Sequence, residues 1–420
     1  MILSYKVRLE PNNKQAQKFK QFAGAARYAY NWAIAKEIEA YELGLGFINE
    51  TDLRKDFTQH KKSAIWLYNV SNDVIKQAIR DAVIAFKNFF KKKADFPQFK
   101  SKKKTKPSFY QDVFKLKVTD THIKIEKISD SKKINKQKLN WIKLSERNRI
   151  PVTNNKYKNP RITFDGIHWY ISISTEMSNK QTKPSNKGIG IDLGIKNLAI
   201  CSNGQYYPNI NKSICVKKLE KRLHRKRRQI SKKYEKNKKG QQYVKTNNII
   251  KSEKNILKLN HKLTNIRNNY IHQVINDIIK REPSFIVLED LNISGMLKNK
   301  HLSKSTQQQN LYKFRNILAY KAEQNNIKLI IADRFYPSSK TCSSCGNINH
   351  NLKLSERTFI CNNCKIKLDR DYNASLNLYH LGNTVSLAGI NACGVLYQTK
   401  VAKAKSDTMK QESNIKSIYN

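Results

Sequence analysis

The chain has 420 residues, 39% of them hydrophobic and 10% aromatic, enough for two or three domains with their own cores and too apolar for a disordered chain. Lys and Arg number 81 against 32 Asp and Glu, a net charge of +49. A compact body with that charge repels itself, and a polyanionic partner, nucleic acid above all, is the simplest relief. A lysine-rich compositional bias, which the many Asn and Ile residues suit, inflates the charge but does not explain its clustering. No stretch of about 18 apolar residues exists, so no transmembrane helix is expected. The segment Met1 to Pro11 carries Lys6, Arg8 and Glu10 and lacks the apolar centre of a signal peptide. Of seven cysteines, four form two C-x-x-C pairs, while Cys201, Cys215 and Cys393 are scattered; this is no disulfide framework and predicts a reducing cytoplasm.

Residues 3–9 alternate, with Leu3, Tyr5, Val7 and Leu9 on one face, and predict a half-buried strand ended by Pro11. From Asn12 to about Gly44 the period becomes helical, with a stripe through Ala26, Tyr30, Ala33, Glu37/Ile38 and Tyr41. A second helix is predicted from about Asp73 to Lys92, with Val74, Ala78, Ala82, Ala85/Phe86 and Phe89 as its stripe. These helices make a first domain whose Lys and Arg form either a binding face or a merely solvated one. The helical pattern stops at Phe96-Pro97-Gln98-Phe99, and a basic stretch follows from Lys100 to Lys106. Strands are predicted near 113–118, 122–128, 140–144, 160–165 and 167–175, the last two joined by a turn at Gly166. With strand 3–9 they predict a small barrel that the chain leaves to make the helices and then re-enters.

From Lys187 the pattern is α/β. A strand is predicted over 187–201, then a long helical region from about Val216 to Lys280, interrupted near Gly240. Its first part is dense in cations from Lys217 to Lys236; its second has a stripe at Leu263, Ile266, Tyr270, Val274 and Ile278. A strand at 284–289, a helix at about 307–325 and a strand at 327–333 follow. The tail after about Ala388 is polar and basic and predicts disorder.

Three segments carry chemistry. In Gly188-Ile-Gly-Ile-Asp-Leu-Gly, read as a strand, Ile189, Ile191, Leu193 and Ile195 line one face. Gly190, Asp192 and Gly194 line the other, a bare floor with one carboxylate in its middle. The hydrophobic strand Ser284 to Leu288 ends in Glu289 and Asp290. In Leu368-Asp369-Arg370-Asp371-Tyr-Asn-Ala-Ser, Asp371 stands where a helix starts, and the small Ala374 and Ser375 let that helix press on a sheet. Each acid alone has a plain explanation, as a turn cap, a solvent-facing strand end or a helix N-cap. Together, on strand, strand and helix start, they are what a two-Mg²⁺ phosphodiesterase needs. Asp192 is assigned as the bridging ligand, with Glu289 and Asp371 completing either side; Asp290 and Asp369 are rivals. Cys342, Cys345, Cys361 and Cys364 have C-x₂-C-x₁₅-C-x₂-C spacing, that of a ribbon closing a structural, four-thiolate Zn²⁺ site. It precedes Asp371 directly and so reads as an insertion beside the acids.

Over nearly its whole length the chain resembles TnpB, the RNA-guided DNA nucleases of insertion sequences. Gly-Ile-Asp192-Leu-Gly resembles the first motif of that family's ribonuclease H-like (RuvC) domain, Val-Leu-Glu289-Asp-Leu the second and Asp-Arg-Asp371-Tyr-Asn-Ala the third, where the second Asp is the ligand. The ribbon lies between motifs two and three, as in the family. Tyr5-Lys-Val-Arg-Leu-Glu-Pro11, Gln15, Ala26-Arg27-Tyr-Ala-Tyr30-Asn31, Ala85-Phe-Lys-Asn-Phe-Phe90 and Phe96-Pro-Gln-Phe-Lys100 fit as well. The resemblance implies a multi-domain α+β protein. Residues 1–10 and 100–185 would form a β-barrel (wedge) domain, 11–99 an inserted helical recognition domain, and 186–385 a RuvC nuclease. The zinc ribbon would span 338–368, and 386–420 would be a basic tail. It further implies two Mg²⁺ (or Mn²⁺) and one Zn²⁺, a guide RNA from the transposon end, a double-stranded DNA target beside a short flanking motif, cleavage of both strands at one site, and a monomeric ribonucleoprotein in the cytoplasm. Asn49, Lys76, Gln77 and Arg80 are the candidates for reading the flanking motif. Lys218, Arg222, Arg225 and Arg228 of the basic helix are those for phosphate contacts.

Overall fold

The computed structural model describes residues 2–129, 138–153, 157–177, 185, 187–353, 355–387 and 394–396. The chain divides after Ser178 into two units.

The first unit is a seven-stranded antiparallel sheet with helices inserted after its first strand. The strands are β1 (Ile2–Glu10), β2 (Ser108–Tyr110), β3 (Lys117–Val118), β4 (His122–Lys124), β5 (Trp141–Leu144), β6 (Lys158–Phe164) and β7 (Trp169–Glu176), in the order β2-β6-β7-β1-β5-β4-β3. Strand β1 is central, paired with β7 from Ile2↔Glu176 to Leu9↔Trp169. Between β1 and β2 lie α1 (Asn13–Glu42), α2 (Glu50–Ser63) and α3 (Asn72–Phe90). The expected strand, departure and return are therefore present. Helix α2 was not legible, because its fourteen residues bury only Leu53, Phe57 and Lys61 and give a faint stripe. Strand β2 is too short to alternate. The 113–118 strand is cut to its last two residues, and Phe114 is 80% exposed. Tyr41, assigned to the stripe of α1, is also exposed; the buried face runs through Phe19, Phe22, Ala29, Ala33, Ile34 and Ala40.

Side chains of known geometry lock the helices onto the sheet. Asn12 and Gln15 form a reciprocal capping box, and Gln15 Nε2 also donates to the carbonyls of Leu139 (2.9 Å) and Trp141 (3.0 Å) beside β5. Arg161 of β6 grips Asp81 of α3 with two 2.7 Å hydrogen bonds. Asn31 exchanges hydrogen bonds with the backbone of Lys100, whose ammonium lies 3.4 Å from the centre of the Tyr30 ring. Lys100, at the head of the basic stretch, is thus a structural residue.

The second unit is a three-layer α/β body. Its six-stranded sheet comprises β8 (Ile189–Leu193), β9 (Asn197–Cys201), β10 (Tyr206–Pro208), β13 (Phe285–Glu289), β14 (Lys328–Ala332) and β17 (Gly394–Leu396), in the order β10-β9-β8-β13-β14-β17. Strands β8, β13 and β14 are parallel; β9 and β17 run antiparallel to their neighbours β8 and β14. The strand expected over 187–201 is in fact two strands, reversed at Gly194–Lys196, which removes Ile195 from the face it was assigned. After β10 comes a helical hairpin, α4 (Ile214–Lys236) and α5 (Asn247–Lys280). A short ribbon, β11 (Lys238–Lys239) and β12 (Gln242–Tyr243), turns it at Gly240, whose φ of +56° suits glycine. Between β13 and β14 lie α6 (Ile293–Lys298), α7 (Ser303–Gln309) and α8 (Leu311–Gln324). The helix expected at 307–325 breaks at Asn310, which is left-handed (φ 53°). The hairpin β15 (Thr358–Ile360) and β16 (Lys367–Asp369) then leads into α9 (Arg370–Leu387). Most of the tail read as disordered lies outside the described residues, but 394–396 is an edge strand on β14. No helix among the described residues is long and apolar enough to cross a membrane.

Helices α5 and α8 cover one sheet face, packing Ile275, Ile278, Phe314 and Leu318 on Ile191, Ile286 and Leu288. Helix α9 covers the other, over Phe285, Val287, Ile330 and Ala332. Its approach is set by glycine. A Cβ on Gly190 would overlap the backbone of Ser375 and Tyr379, and one on Gly382 would overlap Phe285. Gly190→Val should therefore destabilise the second unit by about 3 kcal/mol, read from denaturant unfolding; a change near zero would mean that α9 is not seated as described.

In the first unit, Glu37 is buried with one carboxylate oxygen unpartnered, while the other accepts from the Ile48 N–H at 3.2 Å. Burial, only partly offset by that hydrogen bond, raises its pKa from 4.5 to about 7. The folded chain then holds this proton where the unfolded chain has lost it, so Glu37's contribution to stability falls between about pH 4.5 and about pH 7. Glu37→Gln should raise the thermal midpoint at about pH 8 and leave it little changed at about pH 4; an equal effect at both would contradict this account.

Candidate active site and metal centre

In the parallel register Leu288 pairs with Ile191, so Asp192 and Glu289, each one residue further, sit level on adjacent strands. Side chains alternate across a strand, which puts Asp192 on the face of Gly190, and Glu289 on the face of Phe285 and Val287. Both are the face covered by α9. Asp371 is in the first turn of α9. All three carboxylates thus lie toward the carboxyl ends of the parallel strands, where α/β sheets hold their ligands, and Asp192 feels both others. Part of Asp192 reaches solvent, yet protein surrounds its carboxyl. That desolvation, then repulsion from Asp371 and Glu289, pushes it up to about 8, with Arg370 pulling the other way. Glu289 is raised too, by burial first and then by Asp290.

The rival acids have other partners. Asp290 receives hydrogen bonds from Arg315 (2.6 Å) and Arg334 (2.8 Å), which hold its carboxyl below the usual range against the push of burial. Asp369 Oδ1 accepts the N–H groups of Asp371 (3.0 Å) and Tyr372 (3.1 Å), so it caps α9. The capping role considered for Asp371 belongs to Asp369. Asp371 itself lies 3.1 Å from Arg370 and 3.7 Å from Arg357.

Cys342, Cys345, Cys361 and Cys364 form a second centre, with all four sulfurs within 4.8 Å of one another. The Sγ atoms of Cys342 and Cys364 are 3.6 Å apart, and those of Cys345 and Cys361 3.5 Å. Against burial, the N–H groups of Cys364 and Asn363 hold the Cys361 thiol below its ordinary value, favouring a thiolate ligand. The ribbon is fastened to α9 by two buried amides. Asn373 accepts from the Ser343 N–H (3.0 Å) and donates to the Thr341 carbonyl (2.7 Å); Asn377 donates to the carbonyls of Ser338 (2.7 Å) and Thr341 (2.6 Å). The sequence by itself assigns neither residue a role. Their signal is the spacing of four, which puts them on one helical face.

Three family models match the chain: "Helix-turn-helix domain" over residues 1–45, "Probable transposase" (OrfB_IS605) over 171–300, and "Cas12f1-like, TNB domain" over 312–378. A protein of Escherichia coli K12 named "Putative RNA-guided DNA endonuclease InsQ" is 28% identical over 417 residues, spanning 95% of each chain. A "Putative RNA-guided DNA endonuclease" of Streptomyces pristinaespiralis is 26% identical over 97% of this chain and 96% of its own. Among solved structures, the Cas12f1 of a Cas12f1–sgRNA–target DNA complex superposes with a TM-score of 0.55 at 16% identity, over 88% of this chain and 83% of its own. The chain is similar to TnpB-type proteins over nearly its whole length. The residues matched by the helix-turn-helix model form β1 and the uninterrupted 30-residue α1.

The residues singled out for nucleic-acid contact fall on two surfaces. Asn49 caps α2, accepting from the Asp52 N–H at 2.9 Å. Gln77 donates to Asp81 (3.0 Å), Lys76 faces Asp73 (3.9 Å) and Arg80 faces Glu50 (3.8 Å), all on α3. Lys218, Arg222, Arg225 and Arg228 are exposed on α4, and no ion pair among the described residues involves them. Replacing Asn377 by Leu leaves the Ser338 carbonyl unpaired and takes one of two donors from the Thr341 carbonyl, and should loosen the ribbon by about 2 kcal/mol, seen as faster amide exchange across 338–368. Unchanged exchange would show that the amides do not hold it.

Proposed function

We propose that the chain is an RNA-guided DNA endonuclease of a transposable element. A guide RNA from the transposon end pairs with DNA beside a short flanking motif, and a single RuvC-type site hydrolyses both strands. The observation that supports this best is the placement of Asp192, Glu289 and Asp371 toward one end of the sheet, with Asp192 feeling both others, while Asp290 and Asp369 are engaged elsewhere. The names of the full-length relatives support the RNA-guided part.

The donor sets fit the metals expected. Three carboxylates on two strands and a helix are hard oxygen ligands suited to a pair of Mg²⁺ or Mn²⁺ ions, with Asp192, which feels both other acids, as the shared ligand. Such a pair supplies water activation and stabilisation of the leaving oxygen. The sheet and α9 hold the carboxylates in place, with the backbone of α9 seated on Gly190 beside Asp192. The four convergent cysteines suit one structural Zn²⁺. We read residues 1–10 with 100–185 as the wedge barrel and 11–99 as the recognition helices. Residues 186–385 are the nuclease, with the ribbon at 338–368. The exposed cations of α4 bind phosphates without reading sequence. The active species is a monomer with its RNA.

Purifying the protein from cells that carry its own locus, and sequencing the RNA that comes with it, tests guidance. One species ending in a variable segment is expected; bulk RNA without a common scaffold overturns the guided reading. Asp192→Ala should lower cleavage of the matched DNA by at least about 1,000-fold and leave RNA binding intact; persistent cutting would show the acids to be misassigned. Cys342→Ser with Cys345→Ser should remove one equivalent of zinc by elemental analysis, and an unchanged metal content would refute that site.

A further inference from the structure

A cleft of about 400 Å³ opens on the first unit between α1 and the short turn Ile65–Asn69. Gln21, Gly24, Arg27, Tyr28, Trp66 and Asn69 line it. One wall is aromatic and fixed in place. The Tyr28 ring stacks on His60 (5.9 Å, 19°), its hydroxyl lies 2.7 Å from His60 Nε2, and His60 stacks in turn with Trp32 (5.7 Å, 26°). Trp66 meets Tyr28 edge-on at 5.3 Å. Despite this anchoring, Tyr28 and Trp66 remain 37% and 48% exposed. The floor is Gly24, in the interior of α1, where an added Cβ would meet nothing within 4 Å. Glycine there weakens the helix and keeps the cleft open. The polar lining is uncommitted: among the described residues, the side chains of Gln21, Arg27 and Asn69 have no hydrogen-bond or ion-pair partner.

We propose that this cleft binds one unpaired nucleobase of an RNA strand. The base lies against Tyr28 and Trp66, Gln21 and Asn69 meet its edge, and Arg27 takes the adjoining phosphate. The volume is that of a small-ligand site. An aromatic wall accepts any base, and each amide offers both a donor and an acceptor. The chain's net charge of +49 favours a polyanion over a neutral or cationic ligand. RNA is the occupant because its loops and bulges present bases already splayed out, whereas a DNA duplex must first be unstacked. The proposal rests on the RNA-binding reading above.

The test is fluorescence titration of the full-length protein with a short single-stranded oligoribonucleotide carrying 2-aminopurine, and with its deoxyribonucleotide counterpart, at elevated salt. The wild type should quench the probe and prefer the ribonucleotide. Trp66→Ala should lower affinity about ten-fold, the scale of one lost stack. Gly24→Leu, which fills the cleft yet favours the helix, should do the same with unchanged circular dichroism. Wild-type affinity and quenching in both variants would overturn the cleft while leaving RNA binding in place. Equal binding of the deoxyribonucleotide, lost equally in the variants, would overturn the assignment to RNA. No binding of RNA by the wild type would overturn both readings together.

Discussion

The backbone of α9 crosses β8 where Gly190 has no side chain to hold it off, and the arrangement of the second unit follows from that approach. A helix lying this close to a sheet brings its first turn level with the strand ends. Asp371 therefore lies near enough to Asp192 to repel it, on top of the desolvation that Asp192 feels. Small residues make the approach possible from both sides: Gly190 on the sheet, and Ala374, Ser375 and Gly382 on the helix. Three like charges in one partly dry place oppose folding. They persist because each belongs to an element held by its own packing, Ile191 and Leu288 on one face of the sheet and Phe285 and Val287 on the other.

The acids that surround this group show how the fold gives neighbouring carboxylates different partners. Two pairs of near neighbours, Glu289 with Asp290 and Asp369 with Asp371, offer the same carboxylate chemistry. In the first pair, strand alternation sends Asp290 to Arg315 and Arg334. In the second, the start of α9 turns Asp369 inward to cap the helix. Composition cannot make this distinction, and the resemblance to TnpB made it only for the second pair.

Much of the rest was legible, and the misses have physical causes. Long elements with strong periodicity, such as β1, α1, α3, α5 and β13, emerge near their expected bounds. The turn between β8 and β9 is hidden because it is only three residues long, Gly194-Ile195-Lys196, holds no proline and joins two largely apolar strands. Helix α2 was hidden because it buries so little of itself. The cysteine spacing foretold the convergence of the sulfurs but not the seating of the ribbon, which depends on amides whose partners are backbone carbonyls. Such partners leave no mark in the pattern of side chains. The pairing of Asn31 with Lys100 is similar: two segments that look like separate motifs are one contact.

The seating of the ribbon also bears on how such proteins can be recombined. Asn373 and Asn377 belong to α9, whereas the groups they bind, at Ser338, Thr341 and Ser343, lie on the segment entering the ribbon. The natural unit of exchange is therefore not the cysteine hairpins alone but the hairpins together with the first two turns of the helix that follows. A chimaera that cuts between them would join a socket to the wrong plug, even with every thiol in place.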